Sequence, residues 1–171
     1  SDIGRCICGN FTNNFPGCIG FAYGDPVSTV ANKASSELSA SGVAYNFNIY
    51  WDGDLLSETF NYVAGKNTEG GIYKYGQSGP IYTCQGSLTN NDTKGTPCYQ
   101  GDILGDWREE IIMRTADNNI RIYSTPTPTE HRNYNLWFDH QYRNAMVWQM
   151  CGYNQPPHVS YFMGELEGIT I

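Results

Sequence analysis

Three carboxylates in one short segment are spaced as ligands of a metal ion. In the stretch Asp-Ile-Leu-Gly-Asp-Trp-Arg-Glu-Glu at 102–110, they belong to Asp102, Asp106 and Glu110. Calcium binds about six to eight oxygens, which the carboxylates and backbone carbonyls of a tight turn supply. Gly105 allows the sharp bend that such a loop needs. The segment therefore predicts a calcium site, and the alternative interpretation is an acidic hairpin without a metal.

A second segment carries a related pattern. The stretch Trp-Asp-Gly-Asp-Leu-Leu at 51–56 provides Asp52 and Asp54, and Glu58 follows shortly after. These three carboxylates form a second candidate calcium site, with a metal-free acidic turn as the alternative. A weaker version lies at 9–12, where Asn and Thr offer neutral oxygens. We predict no metal there, because the loss of charged ligands lowers calcium affinity.

The cysteines do not have the paired spacing of a zinc site. They lie at positions 6, 8, 18, 84, 98 and 151. An even number of cysteines permits a disulfide framework. Cys84 and Cys98 bracket a polar loop and are the predicted disulfide pair, and buried free thiols are the alternative interpretation.

Short strands separated by Gly, Asn, Asp and Pro must position these side chains. Alternating or compact apolar runs predict strands at 45–51, 110–114, 119–124, 145–150 and 160–163. Asp117 and Asn118 are predicted to form the turn between the second and the third of them. The one segment with helical character is Ser-rich and covers 30–40. Many closely spaced strands are typical of an all-β sandwich, barrel or propeller.

Repetition of the acidic turn favours the propeller. An acidic turn followed by an apolar strand occurs near residues 52 and 102, with a degraded version near residue 10. This spacing is about one propeller blade, or roughly 40–50 residues. Residues 1–171 are therefore predicted to form a single all-β segment of about three propeller blades with calcium-binding turns. Such a segment has too few blades to close a ring.

Composition limits the partners. The formal net charge is -7, from 17 acidic and 10 basic residues, which disfavours nucleic acid because phosphates need a basic surface. No apolar run is long enough to span a membrane, so no membrane partner is expected. The first residues, Ser-Asp-Ile-Gly-Arg, lack the apolar core of a signal peptide. We expect them to be an internal cut or a mature end.

Several stretches occur in an order that resembles a known enzyme family. They are Trp-Asp-Gly-Asp-Leu at 51–55, the segment 100–110, Arg-Ile-Tyr at 121–123, Asp-His-Gln-Tyr-Arg at 139–143 and Tyr-Asn-Gln-Pro-Pro-His at 153–158. Together they resemble the C-terminal part of family 11 polysaccharide lyases, the rhamnogalacturonan lyases, over nearly the whole chain. The resemblance implies about three blades of a roughly eight-bladed, calcium-bound β-propeller. The missing blades would belong to a longer chain or to another chain.

The implied reaction is β-elimination on galacturonate units of the alternating rhamnose–galacturonate backbone of pectin. A base removes the proton at C5, the rhamnosyl oxygen leaves C4, and a C4–C5 double bond remains. An Arg, a Lys or Ca²⁺ beside the uronate carboxylate stabilises the enolate-like intermediate. The base must lie within hydrogen-bond reach of C5.

The resemblance also implies a substrate-binding loop. The stretch Asn-Asp-Thr-Lys at 91–94 resembles a family Asn-Gly-Thr-Lys loop. In that resemblance Asn91 and Thr93 bind sugar hydroxyls, and Lys94 faces the uronate. Asp92 departs from the usual Gly, which places a carboxylate near an anionic substrate and makes a positive φ costly.

Two further positions match cleft residues of the family. Arg5 resembles an arginine whose guanidinium suits a carboxylate, and Tyr153 resembles a cleft tyrosine. Together with Lys94 they are the catalytic candidates, and the identity of the base stays open. Each has a structural alternative: a solvated end residue for Arg5, a solubilising loop lysine for Lys94 and a core tyrosine for Tyr153.

Two alternatives to a lyase stay open. One is a non-catalytic relative that binds pectin or builds an extracellular assembly, and the other is a calcium-stabilised adhesion propeller. Formation of an unsaturated product distinguishes a lyase from both. The cysteines and the polymeric substrate lead us to expect a secreted, extracellular protein. We expect the isolated chain to be a poor catalyst, because an open arc exposes sheet edges and lacks part of the cleft.

Overall fold

The structure is a computed structural model that describes residues 5–14, 17–22, 25–28, 44, 46–92, 94–149, 151 and 154–164. Within these residues the first seven strands are β1 (Cys6–Gly9), β2 (Ile19–Ala22), β3 (Asp25–Ser28), β4 (Phe47–Ile49), β5 (Glu58–Tyr62), β6 (Gly70–Tyr73) and β7 (Pro80–Cys84). The next four are β8 (Ser87–Leu88), β9 (Tyr99–Gly101), β10 (Glu110–Thr115) and β11 (Ile120–Tyr123). A 3₁₀ helix (Leu136–Phe138) and helix α1 (His140–Trp148) follow.

The strands form three antiparallel sheets in chain order. The first contains β1, β2 and β3, and the second contains β4, β5, β6 and β7 as consecutive neighbours. In the third, β10 pairs with β11 along one edge and with β8 and β9 along the other. Each sheet is therefore built from sequence-adjacent strands. The predicted all-β class is confirmed, whereas the arrangement of these sheets as blades of a propeller stays a prediction.

Three of the predicted strands are confirmed. The alternating run at 45–51 contains β4, and the runs at 110–114 and 119–124 correspond to β10 and β11. Asn118 lies in the turn between the last two and has φ of 62°. Asn tolerates this left-handed conformation better than most residues, which explains why the dipeptide marks the turn.

The other two predicted strands are wrong. Most of the run at 145–150 lies in α1, whose N-cap Asp139 accepts a hydrogen bond from the backbone N–H of Gln141 at 3.2 Å. The buried residues of this helix are Tyr142, Ala145 and Met146, a spacing of three and four that marks one helical face. The run at 160–163 forms no strand. The helical stretch predicted at 30–40 lies outside the described residues.

Each sheet contributes to an apolar cluster. The largest cluster fills the space between the second and third sheets and consists of Phe47, Ile49, Trp51, Phe60, Ile72, Cys84, Ile111 and Met113. A second cluster places Tyr142 and Met146 of α1 against Tyr50, Trp107, Leu136 and Met163. Ile7, Phe11, Ile19 and Phe21 form a third on the first sheet. These clusters hold the ends of the strands, and hence the loops between them, in fixed positions.

Among the described residues, no helix has the length and the apolar character that crossing a membrane would require.

Candidate functional site

Arg5 is held inside the protein rather than in solvent. The residue directly precedes β1 and is 8% exposed. Its guanidinium carbon lies 5.4 Å from the centre of the Phe47 ring, a distance at which a cation is attracted to the face of an aromatic ring. Because Phe47 begins β4, this contact joins the first and second sheets. The alternative of a solvated end residue is therefore wrong for Arg5.

The loop that carries Lys94 has positive φ angles, although Asp92 stands where the family usually has Gly. Asn91 and Asp92 have φ of 59° and 41°, so Asp92 adopts the left-handed region without being glycine. The backbone N–H of Lys94 donates to the carbonyl of Asn91 at 2.9 Å and closes the turn. The Asp92 carboxylate pairs with Lys66 at 2.9 Å. Both side chains of that pair are 60% exposed, so water screens much of their attraction.

Hydrogen bonds bring this loop to the same strand end as Arg5. The side-chain amide of Asn46 donates to the carbonyl of Gly95, which follows Lys94 in the chain. Asn46 directly precedes Phe47, whose ring contacts Arg5. The start of β4 therefore anchors two of the three predicted catalytic residues. Sequence reasoning did not identify Asn46, because no motif marked it.

The third predicted segment also reaches this region. The side-chain amide of Asn154 donates to the carbonyl of Pro97 at 2.9 Å, three residues beyond Lys94. The segment from Asn154 onwards thus packs beside the loop of Lys94. Tyr153 and Thr93 themselves lie outside the described residues, so their predicted roles stay predictions.

The first acidic turn, residues 52–58, directs its carboxylates to one point. Asp52 accepts the backbone N–H of Asp54 at 3.0 Å, and Asp54 accepts that of Leu56 at 2.8 Å. Glu58 accepts the N–H of Trp51 at 3.0 Å with one oxygen. Each carboxylate thereby uses one oxygen to hold the turn and directs its second oxygen to the common point. Those of Asp52, Asp54 and Glu58 offer ligand atoms within 4.8 Å of one another.

Lys74 supplies the positive charge at this point. Its ammonium group donates to Asp54 at 2.7 Å, to Glu58 at 2.9 Å and also to Asp52. An ammonium has three N–H donors, and each carboxylate accepts one. Burial raises the pKa of Glu58 to about 7, and the charge of Lys74 opposes that rise. The oxygen ligands fit calcium in type, but an ion enters the centre only if Lys74 leaves it.

The second acidic turn, residues 102–110, does not gather its three predicted ligands. Asp102 is fully buried and accepts the N–H groups of Gly105 at 2.7 Å, Leu136 at 2.8 Å and Trp107 at 3.3 Å. The last of these bonds fixes a residue with φ of 71°. Both carboxylate oxygens of Asp102 thus accept hydrogen bonds from donors of its own turn or of the 3₁₀ helix.

The other two carboxylates of this turn are also directed elsewhere. One oxygen of Glu110 accepts the N–H groups of Ile103 and Leu104, each at 2.9 Å. Asp106 turns outward and pairs with Arg108 of the same turn. Within the part of the chain that the structure describes, only the first acidic turn assembles three such ligand atoms. The structure therefore does not bring Asp102, Asp106 and Glu110 to one point, and the calcium site at these residues stays a prediction.

Glu109 links the second acidic turn to the core. It is 2% exposed and accepts hydrogen bonds from the N–H of Tyr50 at 2.9 Å, the hydroxyl of Tyr142 at 2.7 Å and the side-chain amide of Gln100 at 3.2 Å. Burial raises the pKa of Glu109 to about 8, although these donors favour the charged form. This buried node connects the residue after β4 with β9 and α1.

The predicted disulfide between Cys84 and Cys98 is not formed. Cys84 ends β7 and is fully buried in the largest apolar cluster, where burial raises the pKa of its thiol to about 12. Cys98 precedes β9 in the third sheet, and its sulfur accepts a hydrogen bond from Asn90 at 3.3 Å. Both residues are free thiols, Cys84 in the second sheet and Cys98 just before a strand of the third. For these two, the alternative of free thiols agrees with the structure.

A separate cleft lies beside the second acidic turn. It has a volume of about 710 Å³ and is lined by residues 105–108, 129 and 131–134. At its edge the rings of Tyr134 and Phe138 stack at 5.6 Å and are 77% and 76% exposed. Of the predicted catalytic and substrate-binding residues, the three that the structure describes, Arg5, Asn91 and Lys94, do not line this cleft.

Comparison with known proteins identifies the class of this β-sheet domain. Residues 1–169 match the profile of the rhamnogalacturonan lyase family 11, C-terminal domain. The chain is 42% identical over 165 residues to the rhamnogalacturonan endolyase YesW of Bacillus subtilis (strain 168). It is 39% identical over 185 aligned residues to the rhamnogalacturonan exolyase YesX of the same organism. Each alignment covers 96% of this chain.

Solved structures agree with this result. The crystal structure of YesW superposes with a TM-score of 0.79 at 40% identity and covers 99% of this chain. A Bacillus licheniformis rhamnogalacturonan lyase has a TM-score of 0.79 at 37% identity, also over 99% of this chain. The shared fold is thus that of a domain of polysaccharide lyases. This chain belongs to rhamnogalacturonan lyase family 11 and corresponds to its C-terminal domain, as the resemblance indicated.

The chain spans 26% and 29% of the lengths of YesW and YesX. It also covers 28% of each of the two solved chains.

Proposed function

We propose that this chain is part of a rhamnogalacturonan lyase that cleaves the rhamnose–galacturonate backbone by β-elimination. The observation that carries the proposal is the gathering of Arg5 and the Lys94 loop at the start of β4. These are two of the three segments whose sequences resemble the family's cleft. The third contains Asn154 and contacts the same loop at Pro97.

Arg5 and Lys94 have the chemistry that the reaction needs. The proton at C5 is weakly acidic while the neighbouring carboxylate keeps its charge. A guanidinium or ammonium beside that carboxylate stabilises the negative charge that develops as the proton leaves. The burial of Arg5 strengthens its field because less water screens it. We assign Arg5 and Lys94 to the uronate carboxylate, and we retain Lys94 and Tyr153 as candidates for the base.

The remaining blades are proposed to complete the cleft. The proposal is supported by the three consecutive antiparallel sheets and by the share of the relatives' length that the chain spans. Apolar side chains that remain at the surface also support it. Ile120 and Ile122 of β11 are 71% and 60% exposed, and Val147 of α1 is 78% exposed. Further blades of the same protein would cover such positions.

We propose Ca²⁺ as the cofactor of the complete protein, with Asp52, Asp54 and Glu58 as the ligands that this chain offers. The convergence of their three carboxylates supports this assignment. Calcium titration monitored by calorimetry tests it. We expect Glu58→Gln to remove one binding event and Asp102→Asn to leave the number of events unchanged. Equal numbers of binding events in the wild type and in Glu58→Gln would contradict the assignment.

The lyase proposal is tested by the ultraviolet absorbance of the unsaturated uronate released from rhamnogalacturonan by the complete protein. We expect Lys94→Ala to lower kcat by about 100-fold or more. Two variants are the controls. Lys94→Arg retains the charge at position 94. Arg121→Ala removes an exposed cation whose guanidinium donates to the carbonyl of Gln85. Arg121→Ala should leave the rate unchanged.

One outcome would oppose the lyase proposal, and another would change only the role of Lys94. Polysaccharide binding without product would favour the non-catalytic pectin-binding relative. Unchanged kcat in Lys94→Ala would remove Lys94 from the mechanism while leaving the family assignment intact.

The protein is proposed to act outside the cell, because its proposed substrate is a polymer. Fractionation of the native source tests this proposal: we expect the protein in the surrounding medium, and retention inside the cell would contradict it.

A further inference from the structure

Cys8 and Cys18 lie on the same face of the first sheet, next to the loop that joins β1 and β2. In β1 the side chains alternate, so Cys6 and Cys8 are exposed while Ile7 is buried. Cys8 lies directly opposite Gly20 of β2. Cys18 precedes β2, two residues before Gly20, and therefore lies on the face of Gly20 and Cys8. Across an antiparallel pair this is a diagonal neighbour relation.

The two thiols contact one another. Gly20, which lies across from Cys8, has no side chain to separate them. The thiols of Cys8 and Cys18 are hydrogen-bonded, which raises the pKa of Cys8 and lowers the pKa of Cys18 to about 7. A thiol with such a pKa is partly ionised at neutral pH and is reactive in disulfide exchange.

The other cysteines are less suitable partners. Cys6 lies opposite Ala22, at the far end of β2 from Cys18. Cys84 is buried in a different sheet, and Cys98 also lies outside the first sheet. Cys151 is exposed beyond α1. The strand register thus favours one pairing among the six cysteines.

We propose that Cys8 and Cys18 form a disulfide in an oxidising environment and thereby close the loop between β1 and β2. The Cys18 thiolate attacks a small-molecule disulfide such as glutathione disulfide and releases one glutathione thiolate. Cys8 then loses its proton, attacks the Cys18 sulfur and releases the second glutathione. Two protein thiols are oxidised and one glutathione disulfide is reduced to two thiols, so two electrons are transferred.

The bridge would restrain the turn at residues 9–12, which has Asn and Thr in place of charged calcium ligands. Asn10 and Thr12 lie inside the loop that it closes, and both are buried. The carbonyl of Asn10 accepts the N–H of Ser57 at 2.6 Å, and its side-chain amide donates to the carbonyl of Leu55 at 3.4 Å. The loop therefore packs on the first acidic turn. A covalent link here restricts the unfolded chain and stabilises this contact.

Peptide mapping of the complete protein tests the proposal. Trypsin cuts after Arg5 and Lys33, and the peptide 6–33 contains no other Lys or Arg. The protein is incubated with glutathione disulfide, unfolded, alkylated without reduction, digested and analysed by mass spectrometry. We expect one alkylated cysteine in this peptide, Cys6, and three after reduction. The bridging rate should rise as the pH increases through about 7, because the thiolate is the attacking species.

Serine variants give the control. Cys6→Ser should leave no alkylated cysteine in the oxidised peptide. Cys8→Ser should leave Cys6 alkylated and Cys18 as a mixed disulfide with glutathione, because no second thiol releases it. Reduction should lower the Tm of the wild type and of Cys6→Ser by about 5 °C or more, and it should not change that of Cys8→Ser. Three alkylated cysteines in the oxidised wild type, or a bridge that includes Cys6, would overturn the proposal even if a variant fails to fold.

Discussion

The two acidic turns have similar sequences and hold their carboxylates in different ways. In the first acidic turn, each carboxylate gives one oxygen to the backbone and one to the ammonium of Lys74. In the second acidic turn, Asp102 and Glu110 accept backbone N–H groups, and Asp106 pairs with Arg108. The first turn therefore depends on a cation that follows another strand, whereas the second is satisfied by backbone N–H groups and by an arginine of its own turn.

The source of this difference is the neighbouring structure. Lys74 follows β6, and the register Thr59↔Tyr73 places it across from Glu58 in the hairpin of β5 and β6. The second acidic turn receives the N–H of Leu136 from the 3₁₀ helix instead. The spacing of acids along a chain thus does not determine their ligands. The donors that the fold brings to them decide whether a cation is needed.

The largest effect is expected for removal of the Asp102 carboxylate. Asp102→Ala leaves three backbone N–H donors without their acceptor in a buried position, so the free energy of unfolding should fall by about 4 kcal/mol. Denaturant unfolding measures this. Asp106→Ala is the matched control, since its side chain is 45% exposed, and its effect should be within about 0.5 kcal/mol. Similar losses in both variants would contradict the distinct roles of the two carboxylates.

A smaller effect is expected at Lys74. Lys74→Met leaves three carboxylates close together without a counter-charge, and the free energy of unfolding should fall by about 2 kcal/mol. This value is below that of a fully buried pair because Asp52 and Asp54 are 22% and 45% exposed. Lys66→Met is the control, since its salt bridge is exposed, and its midpoint should not move. An unchanged midpoint in Lys74→Met would show that the cluster needs no cation.

The smallest expected effect is the response of Tm to calcium. Lys74 competes with a metal ion for the same oxygens, so calcium should raise the Tm of Lys74→Met more than that of the wild type, by about 2–5 °C more. Differential scanning calorimetry with calcium and with a chelator measures the difference. The double variant Lys74→Met with Glu58→Gln should lose most of the calcium response. Equal responses in the wild type and Lys74→Met would exclude competition by Lys74.

Local patterns predicted the parts of the fold that depend on local sequence. The alternating runs of β4 and β11 and the turn at Asn118 follow from side-chain periodicity and turn chemistry. Helix α1 was missed because its apolar positions were interpreted as a short strand, although the spacing of Tyr142, Ala145 and Met146 was helical. Its N-cap, Asp139, was also available as a signal.

The candidate site was only partly predictable. Arg5 and the Lys94 loop were identified from motifs, but nothing local indicated that Asn46 would join them at the start of β4. Lys74 was missed because its relation to Glu58 depends on the register of the hairpin between β5 and β6, not on their distance in sequence. The Cys84–Cys98 prediction failed for a similar reason, since a polar loop between two cysteines does not place them in one sheet.

The most direct test of the difference between the two turns is the anomalous scattering of a lanthanide soaked into crystals of the protein as a calcium substitute. We predict that any lanthanide peak at these turns lies among Asp52, Asp54 and Glu58, with the Lys74 ammonium displaced, and that Lys74→Met increases its occupancy. The account predicts no peak among Asp102, Asp106 and Glu110. A peak at the second acidic turn, with none at the first in either protein, would contradict it.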